Sequence, residues 1–125
     1  GGRMYGWIVP PETASYEFFI RSDDGGQLYL SPDDKIENAQ LIAEETGCCG
    51  PFEDPGAPET SAPVALKAGQ RYFIQALWKE GGGGDYGDEA WRKVGDPAVA
   101  RTLPFIPGSV LEATAPAGTT KLSHA

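Results

Sequence analysis

Histidine and cysteine are nearly absent from this 125-residue chain, and their scarcity excludes several chemistries at once. The one histidine, His124, lies in the tail, so no Ser-His-Asp nucleophile set can be assembled. Two cysteines and a distant imidazole are too few soft ligands for a structural zinc site. Cys48 and Cys49 are adjacent, so they cannot staple remote segments together. Three states stay open for them: a strained vicinal disulfide, two free thiols, or pairing with another chain. In an oxidising compartment the vicinal disulfide is favoured, because Gly47, Gly50 and Pro51 let the backbone take the unusual turn such a ring requires. The ring would form a rigid, flat apolar knob at a loop tip.

Long hydrophobic runs are also missing; none approaches the length needed to cross a membrane, so no membrane insertion is expected. No charged-then-apolar leader is visible either, but "GGRMYGWIVPP" begins abruptly and that absence carries no weight. Basic stripes are lacking: 18 acidic residues against 10 basic ones give a net charge of −8. Nucleic-acid binding rests on clustered Lys and Arg, so it is not expected, whereas a cation or a neutral ligand fits. Acidic balance also serves simply to keep an exported domain soluble.

What is abundant is punctuation, with 17 Gly and 11 Pro, which favours short strands and turns over a helical bundle. The length suits one domain with its own core. "SYEFFIRS" sets Tyr16, Phe18 and Ile20 against Glu17, Phe19 and Arg21, which reads as a strand. After the Asp-Asp-Gly-Gly bend, "QLYLS" puts Leu28 and Leu30 on one side, and the two segments read as a hairpin. A turn at Pro32 and Asp33 precedes a short strand around residues 39–43, and residues 46–63 are a long loop. "VALKAGQRYFIQALWKE" is the strongest strand signal. Tyr72, Ile74, Ala76 and Trp78 oppose Phe73 and Leu77, as in a central strand packed on both faces. Trp78 reads as core, and Trp7 as core or edge packing. An acidic loop, "GGGGDYGDEAW", enters a strand near Trp91. "ARTLPFIPGSVLEA" reads as a closing edge segment, since its prolines cannot donate to a ladder. The fold class is therefore all-β, an antiparallel sandwich or barrel. Residues 1–113 form the domain, and 114–125 a linker or tail.

The bend "SDDGG" carries one carboxylate more than a turn needs. Calcium takes six to eight oxygens, and Asp23 and Asp24 supply several if both side chains point the same way. Adjacent side chains on an extended strand point apart, so a tight turn or a cis peptide is required. Asp85, Asp88 and glycine carbonyls of the second acidic loop would complete the shell if both loops meet at one end. The competing reading is ordinary turn chemistry, in which Asp and Gly dominate. The spacing fails the EF-hand pattern, and "GGGGD" lacks the Lys-Ser/Thr ending of a phosphate loop. Asp33 and Asp34 read as turn residues on a solvated face.

Taken together, "GWIVPPETASYEFFIRSDDGGQLYLSPDD", "LKAGQRYFIQALWKEGGGGDYGDEAW" and "FIPGSVL" resemble the PA-fourteen domain, the lectin-like β-sandwich of the anthrax protective antigen type. The resemblance runs from about Gly6 to Leu111. It implies a β-sandwich in which a cis-linked Asp pair holds a calcium ion (Ca2+) that coordinates a sugar diol directly. Asp23 and Asp24 match that pair, and residues 81–88 match the second calcium loop, with Asp85 at its acidic position. Tyr86 stands where an amide is common, and Gly87 and Glu89 replace apolar residues, which leaves the third side-chain ligand open and makes the last strand less buried. Tyr86 could instead stack on a sugar face. Family members have further strand sequence ahead of this start, so a missing N-terminal strand and an open edge are expected.

The expected function is a calcium-dependent carbohydrate-binding module with a glycan or polysaccharide ligand shaped by Asp23, Asp24, Tyr86 and the Cys48–Cys49 knob. It would be tethered to other domains of a longer exported protein, extracellular, at the cell surface or periplasmic. The alternative is a structural or protein-interaction sandwich without sugar binding. Catalysis by this chain is not expected, because adjacent acids sharing a cation are poorly placed to flank a glycosidic bond.

Overall fold

Period-two alternation decides which side of a strand turns inward, and among the described residues there are eight strands. They are β1 (Gly2–Ile8), β2 (Ala14–Arg21), β3 (Gly26–Leu30), β4 (Gln40–Glu45), β5 (Val64–Leu66), β6 (Tyr72–Trp78), β7 (Asp88–Lys93) and β8 (Leu111–Glu112). The computed structural model describes residues 2–21, 25–46, 52, 56–78, 88–103, 106 and 111–112. Among these there is no α-helix, only the 3₁₀ turns Ile36–Asn38 and Ala100–Thr102. The strands form two antiparallel sheets, a five-stranded one ordered β4-β3-β6-β1-β8 and a three-stranded one ordered β5-β2-β7. The all-β sandwich expected from the sequence is the fold observed.

The core lies between the sheets. Tyr16, Phe18 and Ile20 of β2 cluster with Leu28, Leu30, Ala43, Tyr72, Ile74 and Ala76 of the larger sheet. The expected hairpin between β2 and β3 does not form. β2 pairs with β5 and β7, whereas β3 pairs with β4 and β6. Alternation shows only that each strand buries one face, and here those faces meet across the sandwich rather than side by side. β2 and β3, consecutive in the chain, therefore belong to different sheets.

β6 is central, as its two apolar faces require, and runs between β3 and β1. Its outward Phe73 packs edge-on against Trp7 at 5.6 Å, with Tyr5 beside them. The indole N–H of Trp7 donates to the Asp34 carbonyl at 3.0 Å, and Ile36 and Ala39 close over the rings. The segment through the Asp33–Asp34 turn thus covers the Tyr5, Trp7 and Phe73 rings on this sheet's outer face. On the smaller sheet, Phe19 and Ala90 are covered by Phe52, Ala100 and Leu103. Arg92 ties that layer down: it pairs with Glu17 at 3.1 Å, donates to the Ala98 carbonyl and lies over the Phe19 ring. β8 pairs with β1 at the sheet edge, where the proline-flanked closing segment was expected. The sequence reading assigned no element to Gly2–Ile8, yet it forms an interior strand.

Candidate functional site

Strand register brings the ends of five strands to one end of the sandwich. Arg21 at the end of β2 is paired with Asp88 at the start of β7. Gly26 at the start of β3 is paired with Trp78 at the end of β6 on one side and Glu45 at the end of β4 on the other. The segments 22–24, 47–51 and 79–87 all depart from these ends. Arg21 and Gly26 flank the first acidic loop and are paired with Asp88 and Trp78, which flank the second; the loops themselves lie outside the described residues.

The residues singled out as site residues stand as follows. Asp23, Asp24, Cys48, Cys49, Asp85 and Tyr86 lie outside the described residues. Asp88 opens β7 opposite Arg21, while its side chain lies outside them. Among the described residues no group of three or more His, Cys, Asp or Glu gathers as a metal shell. Phe52, which follows the cysteine pair, is buried at 2 % exposure, edge-on to Phe19 and under the Arg21 guanidinium at 4.7 Å. That contact anchors the chain returning from Cys48 and Cys49 against the end of β2.

A cleft of about 280 Å³ opens at the same end, lined by Gly25, Gly26, Gln27, Glu44, Glu45, Thr46 and Leu77. Tyr29 donates its hydroxyl to Gln27 Oε1 at 3.0 Å, and Gln27 Nε2 donates to Glu44 Oε2 at 3.1 Å. Register explains the row, because Gln27 stands opposite Glu44 on one side and Leu77 on the other. Glu45, one residue on, points inward and is buried at 6 % exposure. None of these residues was named as a site residue from the sequence. The outward alternation of Gln27 and Tyr29 was a visible signal, but their pairing with Glu44 depends on a register that is not.

Asp33 belongs to a different feature. Its carboxylate accepts from the Lys35 N–H at 2.8 Å, the Ser31 hydroxyl at 2.9 Å and the Asn38 amide at 2.8 Å. Those bonds, the backbone one foremost, hold its pKa below the ordinary carboxylate value. The turn reading of Asp33 and Asp34 is the one observed.

Residues 2–91 match the family model of the PA14 domain. Mouse N-acetyl-beta-glucosaminyl-glycoprotein 4-beta-N-acetylgalactosaminyltransferase 1 is 31% identical over 98 residues, 74% of this chain and 10% of that protein. Mouse Fibrocystin-L is 31% identical over 78 residues, 62% of this chain and 2% of that protein. The chain thus spans a tenth or less of these relatives. Among solved structures, an anti-sigma factor domain-containing protein from Clostridium clariflavum superposes with a TM-score of 0.59 at 20% identity, covering 94% of this chain and 33% of that one. The Epithelial Adhesin 6 A domain from Candida glabrata, solved in complex with Galb1-3GlcNAc, superposes with a TM-score of 0.53 at 15% identity, covering 88% and 53%. At such identities the likeness is one of fold.

Proposed function

The chain belongs to the PA14 domain family, and from that premise we propose that it is a calcium-dependent carbohydrate-binding module of a larger protein displayed outside the cytoplasm. The observation that carries the reading is the common origin of the segments bearing Asp23–Asp24 and Asp85–Asp88 at one end of the sandwich. From Arg21 to Gly26 the chain has five residue steps, at most about 18 Å, to pass between sheets about 10 Å apart. Arg21, which precedes the Asp23–Asp24 pair in the chain, stands opposite Asp88 at the start of β7. The donors are all carboxylates, which suits a hard, oxygen-seeking cation.

Asp23 and Asp24 form one wall of the metal site, and Asp85 and Asp88 approach from the facing loop. Bound calcium supplies a centre whose water ligands vicinal sugar hydroxyls replace. Tyr86 offers an apolar ring with a polar tip for the sugar face, and the Cys48–Cys49 turn closes the pocket as a rigid knob. The sugar complex of the Candida glabrata adhesin favours a saccharide ligand, and the adhesive role that its name gives, with the small share of each relative covered here, favours a domain displayed from a longer chain. Binding, not turnover, is the role of this chain.

Calcium titration by calorimetry on the metal-stripped chain, beside Asp23→Ala/Asp24→Ala, tests the metal. An array of immobilised galactosides, mannosides, glucosides and N-acetylhexosaminides, read with and without chelator, tests the sugar. Calcium binding lost in the double variant, with chelator-sensitive glycan signals, is the expected result. Calcium binding without any glycan signal assigns the domain to a structural or protein-interaction role instead. Absence of calcium binding reduces the acidic bend to a turn.

A further inference from the structure

The cleft between β4, β3 and β6 has the chemistry of a saccharide subsite that the metal reading leaves unused. Its floor joins the acidic bend directly, because Gly25 and Gly26 follow Asp24 in the chain and line the cleft. With no side chains there, a ligand held at the bend can lie against backbone. Beyond the glycines the wall changes from polar to apolar within three neighbouring strands: Glu44 on β4, Gln27 on β3, Leu77 on β6.

The polar pair has a fixed orientation. Tyr29 donates to the Gln27 carbonyl oxygen at 3.0 Å, which turns the Gln27 amide nitrogen toward Glu44 Oε2 at 3.1 Å. One amide N–H is spent on the carboxylate, while its second N–H and Glu44 Oε1 take no part in that bond. A donor and an acceptor a few ångströms apart, beside an aliphatic side chain, match a pyranose that has hydroxyls on its rim and C–H groups on its face. The alternative occupant, a second cation, is disfavoured: the Gln27 amide presents donors, and no group of three or more metal-ligating residues gathers among the described residues.

On these grounds, and resting on the carbohydrate-binding reading above, we infer that Gln27 and Glu44 form a second recognition wall that selects the saccharide by hydroxyls not held by the metal. Calcium provides attachment common to many diols; the Gln27–Glu44 wall discriminates among them.

The test compares the 125-residue chain with Glu44→Ala, Glu44→Gln and Gln27→Ala on the same glycoside array, with calcium affinity measured by calorimetry and the thermal midpoint as a fold control. Glu44→Ala and Gln27→Ala are expected to weaken the preferred glycan about tenfold or to reorder the array, since a hydrogen bond to a charged group carries about that much. Calcium affinity should stay at the wild-type value. Glu44→Gln, which keeps shape but loses charge, should fall between. Wild-type ranking and affinity in both alanine variants overturn the inference. Glycan binding that survives chelation yet falls in Glu44→Ala upholds the wall and overturns the calcium reading. A wild-type chain that binds no glycan overturns both.

Discussion

Asp33 shows how one carboxylate can set the path of a whole segment. It binds Ser31, Lys35 and Asn38 at once, and its own carbonyl accepts the Phe73 N–H at 3.0 Å. The turn so formed brings the Asp34 carbonyl over Trp7, which is fully buried. Asp33→Asn keeps the size but sets an amide donor against the Asn38 donor, so a loss of about 1 kcal/mol is expected. The pH dependence follows from a folded-state pKa below the unfolded one. Stability from this group is present in full above the ordinary carboxylate value and lost as pH falls through the lowered folded value. Thermal midpoints of wild type and Asp33→Asn should therefore differ by a constant amount from pH 5 to 8 (roughly the neutral range) and converge in strong acid. A gap that widens on acidification would contradict this account.

At the scale of elements, the Arg92–Glu17 pair decides how the closing segment lies on β2 and β7. Both side chains are about nine-tenths buried, and Arg92 also holds the Ala98 carbonyl. Removing the cation alone leaves a buried carboxylate uncompensated, so Arg92→Met should cost about 3–5 kcal/mol. Glu17→Met/Arg92→Met replaces both charges and should recover much of that loss; urea denaturation of the single and double variants checks the order. If the double variant is the less stable, the pair is net stabilising and the argument fails. This layer was not legible in the sequence. Alternation revealed β2, β3 and β6 and the central place of β6, because periodicity is a local property of the chain. It could not reveal that β2 and β3 lie in different sheets, since a hairpin and a sandwich corner bury the same residues. Phe19 over Phe52, and Trp7 under the Asp34 turn, come from distant segments and leave no periodic trace. The candidate site was half legible: the acids are visible as residues, whereas the Gln27–Glu44 wall exists only through register.

For the whole molecule, charge and topology converge on the same end. The chain carries a net charge of −8, and Asp23, Asp24 and Asp85 fall in the two segments that follow Arg21 and Trp78. Like charges held close in a folded chain repel, and a bound divalent cation relieves that repulsion only in the folded state. Calcium at about 100 times its dissociation constant should add about 2.7 kcal/mol of stability. With an unfolding entropy of about 2.1 cal/mol/K per residue, this is a rise of about 10 °C in the thermal midpoint. Magnesium, which holds its waters more tightly and demands stricter geometry, should give much less. Asp23→Asn/Asp24→Asn removes the repulsion together with the ligands, so its metal-free form should melt at or above the metal-free wild type and ignore calcium. The two predictions separate a metal site from a mere turn. A turn built on those aspartates would lose stability in the double variant whether or not calcium is present, and wild type would melt at one temperature in calcium and in chelator. Scanning calorimetry of both proteins under both conditions decides between them.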